Sequence, residues 1–231
     1  FLDMKFDIVH TQTPFSLGGP ALDWAEASGA KIVHTYHTLF TAYVEFYLPW
    51  VPKSLMVGLT KMVSRRYCNR CDLIVCPSSE MKRELETYGI THRPIVAIPT
   101  GIDLYRFHDA NGPKFRRDLG FTPDDRLMLF MGRVSGEKNI AFLVRVLKSL
   151  SAEFPKLKLI IAGEGSAKES LRKLARDLGL HDRVLFLGYL QGDNWRDCYA
   201  AADLFTFASV TETQGLVVTE AMAAGVPVVA V

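Results

Sequence analysis

Short, almost unbroken apolar runs alternate with longer amphipathic segments along the chain, and this rhythm limits the fold more than any other feature. "FDIVHTQ" (6–12), "AKIVHTYH" (30–37), "DLIVCPS" (72–78) and "IVAIPTGI" (95–102) read as buried strands. Between them lie helical segments: "LGGPALDWAEASG" ending on Gly29, a stretch over roughly 52–70, and "EMKRELETYG" capped by Ser78 or Ser79. Strands apolar on both faces need cover on both faces, which parallel sheets with crossover helices supply.

The rhythm breaks once, at the polar, turn-rich "DLYRFHDANGPKFRRDLGFTPDD" (103–125), and then restarts. Strands are predicted at "LMLFMGR", "LKLIIAGEG", "VLFLGY", "LFTFAS" and "VPVVAV", with helices between, the last from about Thr213 to Ala224. The reading is therefore α/β, with two doubly wound parallel-sheet, Rossmann-like domains facing each other. Residues 1–107 form the first, 108–125 a linker and 126–231 the second. Ligands of such folds sit beyond the carboxyl ends of the strands, so the loops there should carry the chemistry.

Several classes are excluded. Hydrophobic residues make up 48% and charged residues 23%, which is a globular and not a disordered balance. A net charge of +2 gives no global field for nucleic acid. No apolar run reaches the ~20 residues of a membrane span. Cys68 and Cys71 form a CxxC without a second ligand pair, and Cys76 lies on an apolar run. Reduced thiols and no metal site are expected.

The strand-to-helix loops then single out residues. Arg133 and Lys138 flank "VSGE", five apart; two cations at a helix start suit a diphosphate, although most Arg and Lys are only solvated surface charges. Gly163 and Gly165 let backbone approach a ligand or merely close a turn, and the third glycine of a dinucleotide fingerprint is missing. Tyr189 and Leu190 could edge a base or simply end a strand. Glu212 and Glu220 stand eight apart in "TETQGLVVTEAMAAG", around a predicted helix start at Thr213, Gln214, Gly215 and Leu216. The free N–H groups of that start suit an anion. Two carboxylates repel a diphosphate and accept well from hydroxyls, so a sugar on each side of a diphosphate fits the layout.

These residues resemble the retaining glycosyltransferases of family GT4, which have the GT-B fold. "TETQGLVVTEAMAAGVPVV" is similar to the family's E-x7-E motif and "GRVSGEKNI" to its basic loop. "LIIAGEG", "VLFLGYL" and "AADLFTFAS" fall in the family order between them, and "DIVHTQTPF", "VHTYHT" and "IPTGID" match the first domain and the junction. The family's first strand, its Gly-rich loop, the end of its second sheet and its C-terminal helix are not in this sequence, which opens on Phe1. The expectation is a central fragment of a longer enzyme, with both domains incomplete.

The resemblance implies a metal-independent hexosyltransferase without a cofactor. A nucleotide sugar, UDP-glucose, binds the second domain. An acceptor hydroxyl attacks the anomeric carbon from the face the diphosphate leaves. By the family pattern Glu212 touches the donor sugar, Glu220 the ribose and His37 the transferred sugar; His10 lines the acceptor side and His34, inside a strand, is a weaker candidate. "HTYHTLF" and "TETQGLVV" look most like the diacylglycerol glucosyltransferase branch, which implies a lipid acceptor. The alternatives are a mannosyl- or galactosyltransferase, a soluble or polysaccharide acceptor, or a non-catalytic sugar-nucleotide-binding module. An oxidoreductase is a further class, opposed by the missing fingerprint. Between Phe46 and Cys71 stand Lys53, Lys61, Arg65, Arg66 and Arg70 with no acid, among apolar residues that include Phe46, Tyr47, Leu48 and Trp50. Such a segment (46–71) reads as an interfacial anchor on anionic lipid, or as a helix packed on the sheet with a basic outer face. The expected setting is cytoplasmic, peripheral at the inner face of the cell membrane.

Overall fold

The computed structural model describes residues 5–41, 51–90, 92–209 and 211–231, with Lys53 described by its backbone only. Phe46, Tyr47, Leu48 and Trp50 of the basic segment lie outside these. The chain forms two compact units: Phe1–Thr100 with Thr211–Gln214, and Gly101–Val210 with Gly215–Val231.

In the first unit, β1 (Ile8–Thr11), β2 (Lys31–Thr35), β3 (Leu73–Cys76) and β4 (Ile95–Ala97) form one parallel sheet in the order β1-β2-β3-β4. Helices α1 (Gly18–Ser28), α2 (Lys53–Cys68) and α3 (Ser79–Thr87) connect them. The predicted ends hold where local chemistry dictates them. Gly29 closes α1 at φ 73°, a left-handed position glycine takes without a Cβ penalty. Ser78 opens α3 by accepting from the Met81 N–H at 3.2 Å. Strand β4 is shorter than the run 95–102, because Pro99 has no N–H to give a ladder.

In the second unit, β5 (Arg126–Met131), β6 (Leu157–Ala162), β7 (Val184–Gly188), β8 (Leu204–Phe207) and β9 (Val228–Ala230) form a parallel sheet in the order β7-β6-β5-β8-β9. The order reverses beside β5, which places a crevice at the carboxyl ends of β5 and β8. Helix α5 (Ile140–Leu150) buries Leu143, Val144 and Leu147, and α6 (Lys168–Asp177), α7 (Asp193–Ala201) and α8 (Leu216–Ala223) follow.

The stretch 108–125 is structured. It holds α4 (Gly112–Asp118), opened by the Asn111 side chain accepting from the Lys114 N–H at 2.9 Å. Arg116 donates to Asp203 at 2.6 Å and to the Ala201 carbonyl at 2.8 Å, and the Asn111 N–H donates to Asp197 at 2.7 Å. Gly112 lets α4 lie against α7: a Cβ there would stand 2.2 Å from the Ala200 carbonyl oxygen. These contacts belong to the second unit.

The core of the first unit buries a histidine, His34 on β2, with no exposed surface. Its Nδ1 lies 2.8 Å from Thr11 Oγ1 and 3.1 Å from the Thr11 carbonyl oxygen. Its Nε2 is buried without a hydrogen-bond partner among the described residues, and the Tyr36 and Tyr67 rings pack edge-on around it. A second proton would have no acceptor there, and burial pushes the imidazole down to about 4. The unfolded chain titrates near 6.5, so between those values it binds more protons than the folded one. Stability therefore rises with pH across this window and is lost as pH falls through it, by about 3 kcal/mol at full effect. Urea denaturation of wild type and His34→Gln from pH 7 to 4 checks this. Wild type should lose stability more steeply, and parallel slopes would show that His34 is not held neutral.

Candidate functional site

The site in the second unit is built by three loops at the carboxyl ends of β5, β6 and β7. Gly132 N–H donates to the Ala162 carbonyl at 3.0 Å, Gly163 N–H to Gly188 at 2.7 Å and Val134 N–H to Glu164 at 2.9 Å, so pairing continues past the strands. Gly163 sits at φ 142° and Gly165 at φ 158°. A Cβ on Gly163 would lie 1.9 Å from the Gly132 carbonyl oxygen, and one on Gly165 2.2 Å from that of Val134. Both glycines therefore serve backbone contact between loops, and Gly163 also lines the cavity that results.

That cavity has a volume of about 370 Å³, and Gly132, Arg133, Gly163, Tyr189, Leu190 and Glu220 line it. Small-molecule sites have this size and this mixture of apolar wall and few polar groups. Tyr189 is exposed, at 73%, on the rim. Arg133 and Lys138 occupy one loop, as the sequence indicates, and Lys138 ends a 3-10 turn (Gly136–Lys138) that precedes α5. Lys138 is buried rather than a solvated cation. Arg133 Nη2 lies 3.3 Å from Oε1 of the buried Glu137, which also accepts from Ser135 Oγ at 2.6 Å. Glu137 thereby steadies the loop, and the sequence reading passed over it.

Helix α8 begins at Leu216, not Thr213. Gly215 takes a left-handed conformation at φ 69° and breaks the helix from the preceding residues. The helix-start N–H groups accordingly belong to Leu216 and its successors, and Glu220 stands one turn into α8. Thr211–Gln214 belong to the first unit. There Thr213 Oγ1 donates to the His37 carbonyl at 3.0 Å, and the Gln214 amide accepts from the Thr100 N–H at 2.9 Å and donates to the Thr100 carbonyl at 2.8 Å. Thr213 and Gln214 thus spend their side chains on backbone, and Glu212 lies in the same segment.

Glu220 is half-buried, and its Oε2 accepts from the Tyr199 hydroxyl at 2.7 Å. Burial holds its carboxyl above the usual range, opposed by the Tyr199 hydrogen bond and by the positive charge of Arg106. Tyr199 on α7 is completely buried, its ring set edge-on to Trp195 and Phe107. Arg106 stacks over Trp195 at 4.8 Å. The sequence does not single out Tyr199, which reads as core, or Arg106, which reads as the end of the first domain (1–107) yet belongs to the second unit.

In the first unit, His10, Gln12 and His37 gather where β1 and β2 end. Gln12 Oε1 lies 2.6 Å from His37 Nε2, and Gln12 Nε2 lies 3.0 Å from His10 Nε2. With Gln12 so oriented, His37 carries its proton on Nε2 and His10 Nε2 accepts, also from Thr35 Oγ1 at 2.7 Å. His37 is exposed and His34 is not.

The four cysteines are free and buried. Burial pushes the Cys68 and Cys71 thiols up to about 12, which leaves neither poised as a thiolate. Among the described residues no group of three or more His, Cys, Asp or Glu is placed to hold a metal ion. No helix there is long and apolar enough to cross a membrane.

The pattern described as Glycosyltransferase Family 4 matches residues 1–106, and that of Glycosyl transferases group 1 matches residues 111–231. An alpha-monoglucosyldiacylglycerol synthase of Streptococcus pneumoniae is 34% identical over 98% of this chain and 52% of its own length. A D-inositol 3-phosphate glycosyltransferase of Pseudarthrobacter chlorophenolicus is 33% identical over 98% of this chain and 54% of its own. The chain thus spans about half the length of these relatives. The crystal structure of Anabaena HepE in complex with UDP and glucose superposes with a TM-score of 0.82 at 21% identity, over 97% of this chain and 59% of that one. That likeness shows two Rossmann-like parallel-sheet domains of the GT-B kind.

The interlocked loops generate a test of their own. Gly163→Ala should lower stability by about 2–4 kcal/mol, because a Cβ meets backbone that cannot rotate away and the φ is unfavourable for it. A urea midpoint equal to that of wild type would show that the loops do not interlock as described.

Proposed function

Because the chain belongs to glycosyltransferase family 4, we propose that its protein is a retaining hexosyltransferase that moves glucose from UDP-glucose to a hydroxyl of a membrane lipid such as diacylglycerol. The observation that carries this reading is the cavity beyond β5–β7, where a cation, Arg133, and a carboxylate, Glu220, share one lining. The cation suits a diphosphate and the carboxylate suits ribose hydroxyls. In this reading residues 1–107 serve the acceptor side and 126–231 the donor side.

The diphosphate contacts follow from charge, and the sugar contacts of Glu212 and His37 are those the family resemblance implies. Arg133, Lys138 and the first N–H groups of α8 take the diphosphate, and Tyr189 and Leu190 edge the base. Glu212 contacts the donor sugar, and His37, oriented by Gln12, the transferred hexose. As the acceptor hydroxyl bonds to the anomeric carbon, the bond to the diphosphate breaks, the hydroxyl proton passes to the departing phosphate oxygen on the same face, and the remaining charge is met by groups already in place. Such preorganised charge contributes about 3 kcal/mol of barrier per donor. UDP and glucose are bound in HepE, which supports the donor assignment.

The lipid acceptor rests on α2. Its outward stripe exposes Leu55, Leu59, Met62 and Val63, with Arg65 and Arg66 exposed beside them. Lys61 is engaged elsewhere, over the Tyr88 ring and on Thr87 Oγ1 at 3.3 Å. An apolar stripe among cations fits an anionic bilayer surface, and the S. pneumoniae relative is by name a synthase of a glucosylated diacylglycerol. A soluble acceptor is the second reading, favoured by the D-inositol 3-phosphate glycosyltransferase at 33% identity.

Two outcomes are expected. Glucose transfer from UDP-glucose should survive EDTA, Arg133→Ala should slow it by ~100-fold or more, and Glu212→Ala should lower kcat more than it raises KM. Loss of activity in EDTA with rescue by magnesium would contradict this. Liposome co-sedimentation should show binding that rises with anionic lipid and falls with salt. Arg65→Gln with Arg66→Gln should weaken it. A wild-type protein that ignores anionic liposomes at low salt would leave α2 structural and the acceptor soluble.

A further inference from the structure

The buried hydroxyl of Tyr199 has one partner that matters for a ligand, and that partner lines the cavity. Tyr199 Oη donates to Glu220 Oε2 at 2.7 Å, from a ring enclosed by Phe107, Trp195 and Phe205. A ring so enclosed cannot swing away, so the hydroxyl is a fixed donor. It occupies one carboxylate oxygen and leaves the other to the cavity. We propose that Tyr199 is a positioning residue: by holding Glu220 as an oriented acceptor, it sets the preference of the cavity for diphosphates that carry ribose hydroxyls. This rests on the reading of the cavity as a nucleoside-diphosphate site.

The electrostatics agree. Burial pushes the Tyr199 hydroxyl well above its ordinary range, so it keeps its proton and remains a donor. Its hydrogen bond works against the burial that raises Glu220. The other charged or titratable groups facing Glu220 are Arg106 from the turn at 104–107, Arg133 beyond β5, Glu164 beyond β6 and Tyr189 beyond β7. Glu164 is already paired with Lys168 at 2.7 Å. Removing the Tyr199 hydroxyl therefore shifts Glu220 further upward, and the carboxylate is lost at a higher pH.

The test is calorimetric titration of the purified protein with UDP and with 2′,3′-dideoxy-UDP, on wild type, Tyr199→Phe, Glu220→Gln and the double variant. Wild type should prefer UDP by about tenfold or more, the worth of a hydrogen bond to a charged group. Tyr199→Phe should lose most of that preference while binding dideoxy-UDP as before. The pH below which its UDP affinity falls should move upward. On the Glu220→Gln background the same change should add little. Equal losses for both nucleotides, an unmoved pH profile, or additive effects in the double variant would reduce Tyr199 to a packing residue and overturn the proposal. Undiminished discrimination in Tyr199→Phe would overturn it while leaving the nucleotide site standing. Wild type that binds neither nucleotide would remove that site and the proposal with it.

Discussion

The carbonyl oxygens of Gly132 and Val134 lie 1.9 Å and 2.2 Å from where the Cβ atoms of Gly163 and Gly165 would be, too close for either to exist. This backbone-on-backbone contact locks the loops beyond β5 and β6 together. It sets the floor of the cavity and fixes where Arg133 emerges. Glu137 then holds that loop from beneath, and α8 brings Glu220 to the same lining. A parallel sheet delivers all its strand ends to one side, so three loops and a helix can converge without long insertions.

Most of the strands were legible because buried parallel strands read as continuous apolar runs. Helix ends were legible where a single residue dictates them, as at Gly29 and Ser78. The segment "GPKFRRD" was not, because what makes it α4 is distant in sequence: Asp203, Asp197 and the Ala200 carbonyl. Its basic, polar composition matches that of a linker. The start of α8 was misplaced for a similar reason. Thr213 and Gln214 have the composition of a helix start, yet their side chains bond His37 and Thr100, far away in sequence.

The candidate site was half legible. Charged residues in strand-to-helix loops could be named, as could the carboxylate pair, because the topology says where such loops point. The groups that hold them could not. Tyr199 reads as one more aromatic in a core segment, and Glu137 as one more surface acid. Only the fold shows that each supports a residue of the cavity, at 2.7 Å and 3.3 Å. The CxxC shows the opposite: a spacing that suggests redox or metal chemistry lies buried, with thiols pushed too high to ionise.

In the proposed function the cavity beyond β5–β7 takes the nucleoside diphosphate, with opposite ends of the ligand on Arg133 and Glu220. A crystal structure of the protein grown with UDP tests this most directly. The diphosphate should lie within hydrogen-bond distance of Arg133 and a ribose hydroxyl should lie on Glu220. Density for UDP elsewhere, or with its phosphates turned toward Glu220, would contradict it.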